Sequence, residues 1–175
     1  MRKLKLDELD RLSVEEFKTS LKIPVVVVLD NIRSAMNVGS IFRTADAFAI
    51  EKIIICGISA TPPHREITKT AIGATESVSW EYKSSIEETV TLLKNIGYTI
   101  MGIEQTDSSV LLGESLIHFD KIAVIFGNEV EGISDVIIHQ LDLCIEVPQF
   151  GTKHSLNVSV CAGIVLWELM QKFKN

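Results

Sequence analysis

Asn37 and Arg43, Glu129, and the pair Ser155 and Asn157 fall in three stretches whose polar side chains a plain strand–turn–helix pattern does not require. In the first, Leu29-Asp30-Asn31-Ile32-Arg33-Ser34-Ala35-Met36-Asn37 leads from an apolar strand into a helix that carries Arg43. Asn37 and Arg43 are six residues apart, so an amide near the helix start and a guanidinium a turn or more inside could border one cleft. Ligands of parallel sheets bind beyond the carboxyl ends of strands, and helix N-termini there favour anions such as phosphate. The spacing by itself also fits, more simply, Asn37 as a helix cap and Arg43 as a solvated charge.

The second stretch, Ile122-Ala123-Val124-Ile125-Phe126-Gly127-Asn128-Glu129-Val130-Glu131-Gly132-Ile133-Ser134, is an apolar strand running into a turn with two glycines and two carboxylates. Glycine permits close backbone approach or positive φ. A strand-to-helix turn with Ser134 as N-cap accounts for much of it and leaves Glu129 unexplained. The third runs from Cys144 to Val160: a strand stopped at Pro148, a polar loop through Lys153 and His154, and a helix starting near Ser155, a natural N-cap. That places Asn157 in the first turn of an apolar helix, where Asn has poor propensity and, if buried, needs partners. A ligand contact and a structural one fit Asn157 equally.

The elements that must position these residues alternate. Strand patterns occur at Pro24–Leu29, Lys52–Cys56, Ser77–Tyr82, Tyr98–Glu104, Lys121–Phe126 and Leu143–Val147, giving about six short strands. Pro24-Val25-Val26-Val27-Val28-Leu29 is a continuous apolar run, as in a strand covered on both faces. Helical spacing appears at residues 7–20, Val38–Phe48, Ser85–Ile96, Ser134–Leu141 and Ser155–Phe173. Ser13 with Glu16 and Ser85 with Glu88 have capping-box spacing. Strands alternating with helices predict an α/β fold with a mostly parallel six-stranded sheet. Residues 1–23 read as a short helical extension and 24–175 as a single domain.

Lys and Arg number 17 against 23 Asp and Glu, a net charge of −6, which argues against general coating of nucleic acid but leaves room for a local basic patch. The three cysteines are far apart in apolar runs, as expected of reduced thiols in the cytoplasm. No CxxC or HExxH spacing suggests a metal, and the four histidines show no triad spacing. GxGxxG, GxxxxGK[ST] and GxSxG are all absent, which disfavours a dinucleotide dehydrogenase, a P-loop enzyme and an α/β-hydrolase. The charged N-terminus lacks the core of a signal peptide, and no run is long enough to span a membrane.

Taken together, Asn37-Val38-Gly39-Ser40-Ile41-Phe42-Arg43-Thr44-Ala45-Asp46-Ala47-Phe48, Ile125-Phe126-Gly127-Asn128-Glu129-Val130-Glu131-Gly132-Ile133-Ser134 and Val147-Pro148 with Ser155-Leu156-Asn157-Val158-Ser159 resemble the three motifs of the SpoU-type (TrmH-like) branch of the SPOUT RNA methyltransferases. They occur in the family's order, and the resemblance runs from about residue 24 to about residue 170. It implies a C-terminal trefoil knot, a rare exception to unknotted topology. It also implies S-adenosylmethionine as methyl donor, a homodimer, and 2′-O-methylation of a ribose in tRNA (the preferred substrate) or rRNA.

By the same resemblance Arg43 matches the catalytic arginine, and Asn37, Glu129, Ser155 and Asn157 match the other polar motif positions. Gly127, Val147, Pro148 and Leu156 would contact the cofactor, with Glu104 after the fourth strand. Only about twenty residues precede the first strand, so RNA recognition would fall to the catalytic dimer or to help from elsewhere. Arg33, Arg43, His64, Arg65, Lys69 and Lys153 are the candidate RNA contacts, although each alone also reads as an ordinary solvated charge. Methyl transfer requires the attacking oxygen about 3 Å from the methyl carbon. A neutral arginine at pH 7 costs about 7 kcal/mol, so Arg43 is expected to bind phosphate and stabilise developing charge, with phosphate or water taking the proton. The competing expectation is a non-catalytic module that binds RNA or S-adenosylmethionine.

Overall fold

The computed structural model describes residues 1–5, 8–114 and 119–174. Strands β1 (Ile23–Asp30), β2 (Ile50–Cys56), β3 (Trp80–Lys83), β4 (Thr99–Ile103), β5 (Val110–Leu111), β6 (Ile122–Phe126) and β7 (Leu143–Glu146) form one sheet in the order β3-β2-β1-β6-β4-β7-β5. Every neighbouring pair is parallel. The sheet therefore has seven strands, not the six expected. The extra one, β5, is two residues long, too short to leave a periodic pattern.

The helices are α1 (Val14–Thr19), α2 (Ala35–Ala47), α3 (Arg65–Ala71), α4 (Ala74–Ser77), α5 (Ile86–Asn95), α6 (Asp135–Ile138) and α7 (Val158–Lys174). They cover both faces of the sheet, and β1 shows how. Val25, Val27 and Leu29 pack with Phe17 of α1, Phe42 of α2, Ile67 of α3 and Leu166 of α7. Val26 and Val28 point the other way, to Ile86 and Val90 of α5 and Ile137 of α6. A strand alternates its side chains between faces, so a continuous Val run is what a doubly covered strand needs. Each such side chain contributes roughly 1.5–3 kcal/mol when fully buried.

Several boundaries differ from the sequence-based expectation. Helix α1 is confined to Val14–Thr19, with Ser13 and Glu16 making the reciprocal cap, while residue 7 of the expected span lies outside the described residues. The strand expected from Ser77 begins at Trp80, because Ser77 closes α4, where its hydroxyl donates to Asp46. The stretch 57–76, to which no element was assigned, holds α3 and all but the last residue of α4. The helix expected over Ser134–Leu141 keeps helical geometry only over Asp135–Ile138. In the last helix the cap is Asn157, not Ser155: its Oδ1 accepts from the Ser159 N–H at 2.9 Å and the Val160 N–H at 3.3 Å.

Candidate active site

In chain order β1 leads to β2 and β3 on one side, while β6, β4, β7 and β5 lie on the other. The reversal between β1 and β6 is a topological switch point, where parallel sheets place ligands beyond the strand ends. A cleft of about 390 Å³ opens beside it, on the β6 side, at the carboxyl ends of β4, β6 and β7, marked by Ile103, Phe126 and Glu146. That volume is within the range of small-molecule sites.

Three chain segments form its walls. The loop after β6 contributes Gly127, Asn128, Glu129, Val130 and Gly132. The segment after β7 contributes Val147 and Gln149, and the approach to α7 contributes Ser155, Leu156 and Asn157. Glu104 and Gln105 close the third side. Of the residues singled out as cofactor contacts, Glu104, Gly127, Val147 and Leu156 line the cleft. Pro148 does not. It is exposed, and the next residue, Gln149, lines the wall instead.

The β6 loop is tightly closed. Asn128 and Gly132 exchange backbone hydrogen bonds of 2.8 and 2.9 Å. Glu104 holds the loop from across the cleft, its carboxylate accepting from the Ile133 N–H at 3.0 Å and the Gln105 N–H at 2.9 Å. Gly132 sits at φ 74°, and a Cβ there would overlap Glu104 Oε2. At Gly127 a Cβ would overlap the backbone of Gly132 and Ile133. Both glycines are thus set by closure of the loop and by the approach of Glu104.

Glu129 reaches from this loop to the start of α2. Its carboxylate accepts from the Arg33 N–H at 2.8 Å, the Ser34 N–H at 3.1 Å and the Asn37 Nδ2–H at 2.9 Å. Desolvation raises the pKa of Glu129, but the Arg33 N–H, the Asn37 amide, its own backbone and the Ser34 N–H more than offset this and hold it below the ordinary carboxylate value. Ser34, not Asn37, caps α2, its Oγ accepting from the Asn37 N–H. The buried Asn37 side chain instead bridges two other segments, because its Oδ1 accepts from Asn157 Nδ2–H at 3.1 Å while its own amide serves Glu129. Glu129, Asn37 and Asn157, from three distant segments, are therefore joined directly. Ser155 is exposed and borders the cleft.

Arg43 is not among them. It is exposed on α2, on the stripe that carries Met36 and Ala47, and makes no hydrogen bond or ion pair among the described residues. Six helical residues place it about 9 Å along the axis from Asn37, on a different side of the helix, so the two do not border the cleft of the same chain together. The other candidate RNA contacts, Arg33, His64, Arg65, Lys69 and Lys153, are all exposed. His64 also has a structural role, capping α3 by accepting from the Glu66 N–H.

Asp30, Asn31 and Asn128 were not singled out and hold the site together. Asp30 is fully buried and accepts from the Ser134 N–H and the Asn31 amide, both at 2.8 Å. Asn31, at φ 55°, accepts from the Ile58 N–H at 3.0 Å. Asn128 donates to the Asn31 carbonyl at 2.8 Å. The available signal was a carboxylate ending a wholly apolar strand, followed by an Asn, the residue that best tolerates left-handed backbone after Gly. Cys161 lines the cleft, but burial first, then the Glu104 charge, push its thiol up to about 11, so it stays protonated at neutral pH. Among the described residues no group of three or more His, Cys, Asp or Glu could hold a metal ion, and no helix is long and apolar enough to cross a membrane.

Comparison with known proteins gives the chain's family and fold relatives. The model of the SpoU rRNA methylase family matches residues 24–167. The 23S rRNA (guanosine-2′-O-)-methyltransferase RlmB of Neisseria meningitidis serogroup B is 33% identical over 145 residues, covering 83% of this chain and 57% of that protein. The crystal structure of the A. aeolicus TrmH/SpoU tRNA modifying enzyme superposes with a TM-score of 0.81 at 26% identity, covering 92% of this chain and 81% of that one. An AdoMet-bound rRNA methyltransferase from Sinorhizobium meliloti shares the fold, with a TM-score of 0.80 at 24% identity over 87% of this chain and 57% of that one. The chain spans 57%, 64% and 63% of the length of three curated relatives, less than two thirds of each. With the family model covering most of its length, the second and third motif segments lining one cleft and Asn37 of the first bonded to both, the chain belongs to the SpoU rRNA methylase family.

Proposed function

We propose that this protein transfers a methyl group from S-adenosylmethionine to a ribose 2′-hydroxyl of RNA, with tRNA preferred and rRNA the alternative. The observation that carries the reading is the convergence of Glu104, the Gly127–Gly132 loop, Val147 and Leu156 on one cleft. The residues fit the donor's chemistry. Val147, Leu156 and Ile103 offer apolar surface for an adenine, and the Glu104 and Glu146 carboxylates suit a cationic group. The bound donor supplies an electrophilic methyl group on a sulfonium.

The chain's own residues do the rest. Glu129, Asn37 and Asn157 lock the β6 loop, α2 and α7 into one frame. Ser155 at the cleft edge positions the hydroxyl. Arg43 remains a cation, binds an RNA phosphate and stabilises negative charge developing on the 2′-oxygen. The phosphate or a water accepts the proton. Arg33, His64, Arg65, Lys69 and Lys153 form the surrounding RNA-binding surface.

The working unit is a homodimer in the cytoplasm, with residues 24–175 as a single methyltransferase domain carrying a C-terminal trefoil knot and 1–23 as a short helical extension. Support for the dimer comes from the exposed apolar stripe Val160, Ile164 and Trp167 on α7. Trp167 lies against Phe48 at the end of α2, with ring centroids 5.7 Å apart. Pairing through this region would let the outward stripe of α2, with Arg43, reach a cleft that its own chain does not offer it. Support for the knot comes from β6 and β7 flanking the earlier β4 while α7 packs back on α2.

The test is incorporation of labelled methyl from S-adenosylmethionine into bulk unmodified RNA, followed by mapping. Label on ribose 2′-oxygens is the expected result. Label confined to bases would overturn the assignment. Donor or RNA binding without any transfer would favour a non-catalytic module.

A further inference from the structure

Among the described residues Phe150 is the most exposed large apolar side chain past the N-terminal residue, at 99% of its full accessible surface. It lies in the loop that runs from the cleft wall to α7. Val147 and Gln149 face the cleft, whereas Pro148 and Phe150 are exposed. The ring is thus one residue, about 3.8 Å of backbone, beyond the cleft wall and outside the pocket itself.

The chain segment that carries it is specific in charge. The chain carries a net charge of −6, yet no Asp or Glu occurs from Val147 to Trp167, and the loop after Phe150 holds Lys153 and His154. Residues 150 to 157 are all exposed. A protein-docking hot spot is an aromatic residue set within a ring of close-packed neighbours. A lone aromatic ring on a polar, cationic loop instead matches the platforms on which unpaired bases stack while nearby cations hold the backbone.

We infer that Phe150 is a stacking platform for an unpaired base of the substrate RNA, next to the nucleotide whose ribose enters the cleft, with Lys153 and His154 holding the adjoining phosphates. The inference rests on the methyltransferase reading and adds a substrate requirement: the target nucleotide lies in a loop or single-stranded segment, not within a continuous duplex.

The experiment compares wild type with Phe150→Ala, Phe150→Leu and Phe150→Trp by titration with a fluorescently labelled single-stranded RNA of mixed sequence, alongside S-adenosylmethionine affinity and oligomeric state. Because the side chain is fully exposed, the variants keep the fold. Stacking is worth about 1–3 kcal/mol per base, so Phe150→Ala should weaken RNA binding at least about fivefold. Phe150→Leu should behave like Ala, since it keeps apolar area without a ring face. Phe150→Trp should restore wild-type affinity, with its indole emission quenched on RNA addition. Donor affinity should not change. RNA affinity within twofold of wild type in Phe150→Ala, full binding by Phe150→Leu, or a Phe150→Ala protein that loses a dimer yet keeps its RNA affinity would each overturn the platform while leaving the methyltransferase reading intact. Failure of the wild-type protein to bind or methylate RNA would overturn both.

Discussion

Asn157 donates its side-chain N–H to the Asn37 amide oxygen at 3.1 Å, across 120 positions of sequence. Asn37 passes the connection on, donating to Glu129 at 2.9 Å. The donors run in one sense, from the Ser159 hydroxyl through Asn157 and Asn37 to a carboxylate that only accepts. Such a chain fixes amide orientations, and the terminal charge-assisted bond is its strongest part. It ties the starts of α2 and α7 to the β6 loop, so two parts of the cleft wall and the helix behind them are held together.

Reversing the polarity of this chain should be worse than cutting it. Asn37→Ala removes one acceptor for Asn157 and one donor to Glu129, at a cost of about 1–3 kcal/mol. For a chain of this size each kcal/mol is about 2–4 °C in Tm. Asn37→Asp keeps the acceptor but sets a second carboxylate against Glu129. Thermal denaturation at pH 7 should rank wild type above Ala and Ala above Asp, with the Asp variant recovering as acid neutralises one carboxyl. An Asp variant as stable as wild type at pH 7 would contradict the chain's direction.

Arg43 is predicted to separate chemistry from folding. It is exposed and unpaired among the described residues, and substitutions at such sites usually change stability by no more than about 0.5 kcal/mol. On the proposed function, Arg43→Ala should abolish methyl transfer while donor affinity and Tm stay near wild type. Single-turnover kinetics check this, and a fall of less than tenfold would remove Arg43 from its proposed role.

Much of the fold was legible because its signals are local. The Val run of β1 announced a doubly covered strand, and Ser13 with Glu16 marked a helix start that the structure keeps. What escaped has long-range causes. β5 exists only because β7 offers Val110 and Leu111 an edge, and α3 and α4 are too short for their periodicity to stand out. At the site, sequence marked Asn37, Glu129 and Asn157 as unexplained polar residues, yet only the fold shows them bonded to one another. Asp30 and Asn31 stand where a strand ends, and nothing in their local sequence marks what they bond. Their role depends on Ser134 and Ile58, which chain topology brings to them.

Glu129 should leave an acid signature. Its folded-state pKa lies below the ordinary 4.5, with desolvation outweighed by hydrogen bonds from Arg33, Asn37 and Ser34. A lowered carboxyl pKa contributes stability that is fully present above the unfolded value and is lost as pH falls through the folded one. Wild type should therefore exceed Glu129→Gln in Tm by a constant margin above about pH 4.5, and the margin should shrink below it. A margin that does not depend on pH down to the acid transition would show that the Glu129 charge is not what anchors the β6 loop to α2.

The β6 loop also predicts an unequal response among its glycines. Gly132 combines positive φ with the close approach of Glu104, whereas Gly151 has open space where a Cβ would go. Gly132→Ala must strain the backbone and push Glu104 away, breaking its bond to the Ile133 N–H. Both Glu104 and Gly132 line the cleft, so S-adenosylmethionine affinity should fall together with Tm, while Gly151→Ala leaves Tm unchanged. Part of the loss belongs to the collision and part to backbone strain. Adding Glu104→Ala to Gly132→Ala removes only the collision, so the double variant should be less destabilised than the sum of the singles. Strict additivity, measured by denaturation of all four proteins, would mean that Glu104 and Gly132 do not meet as described.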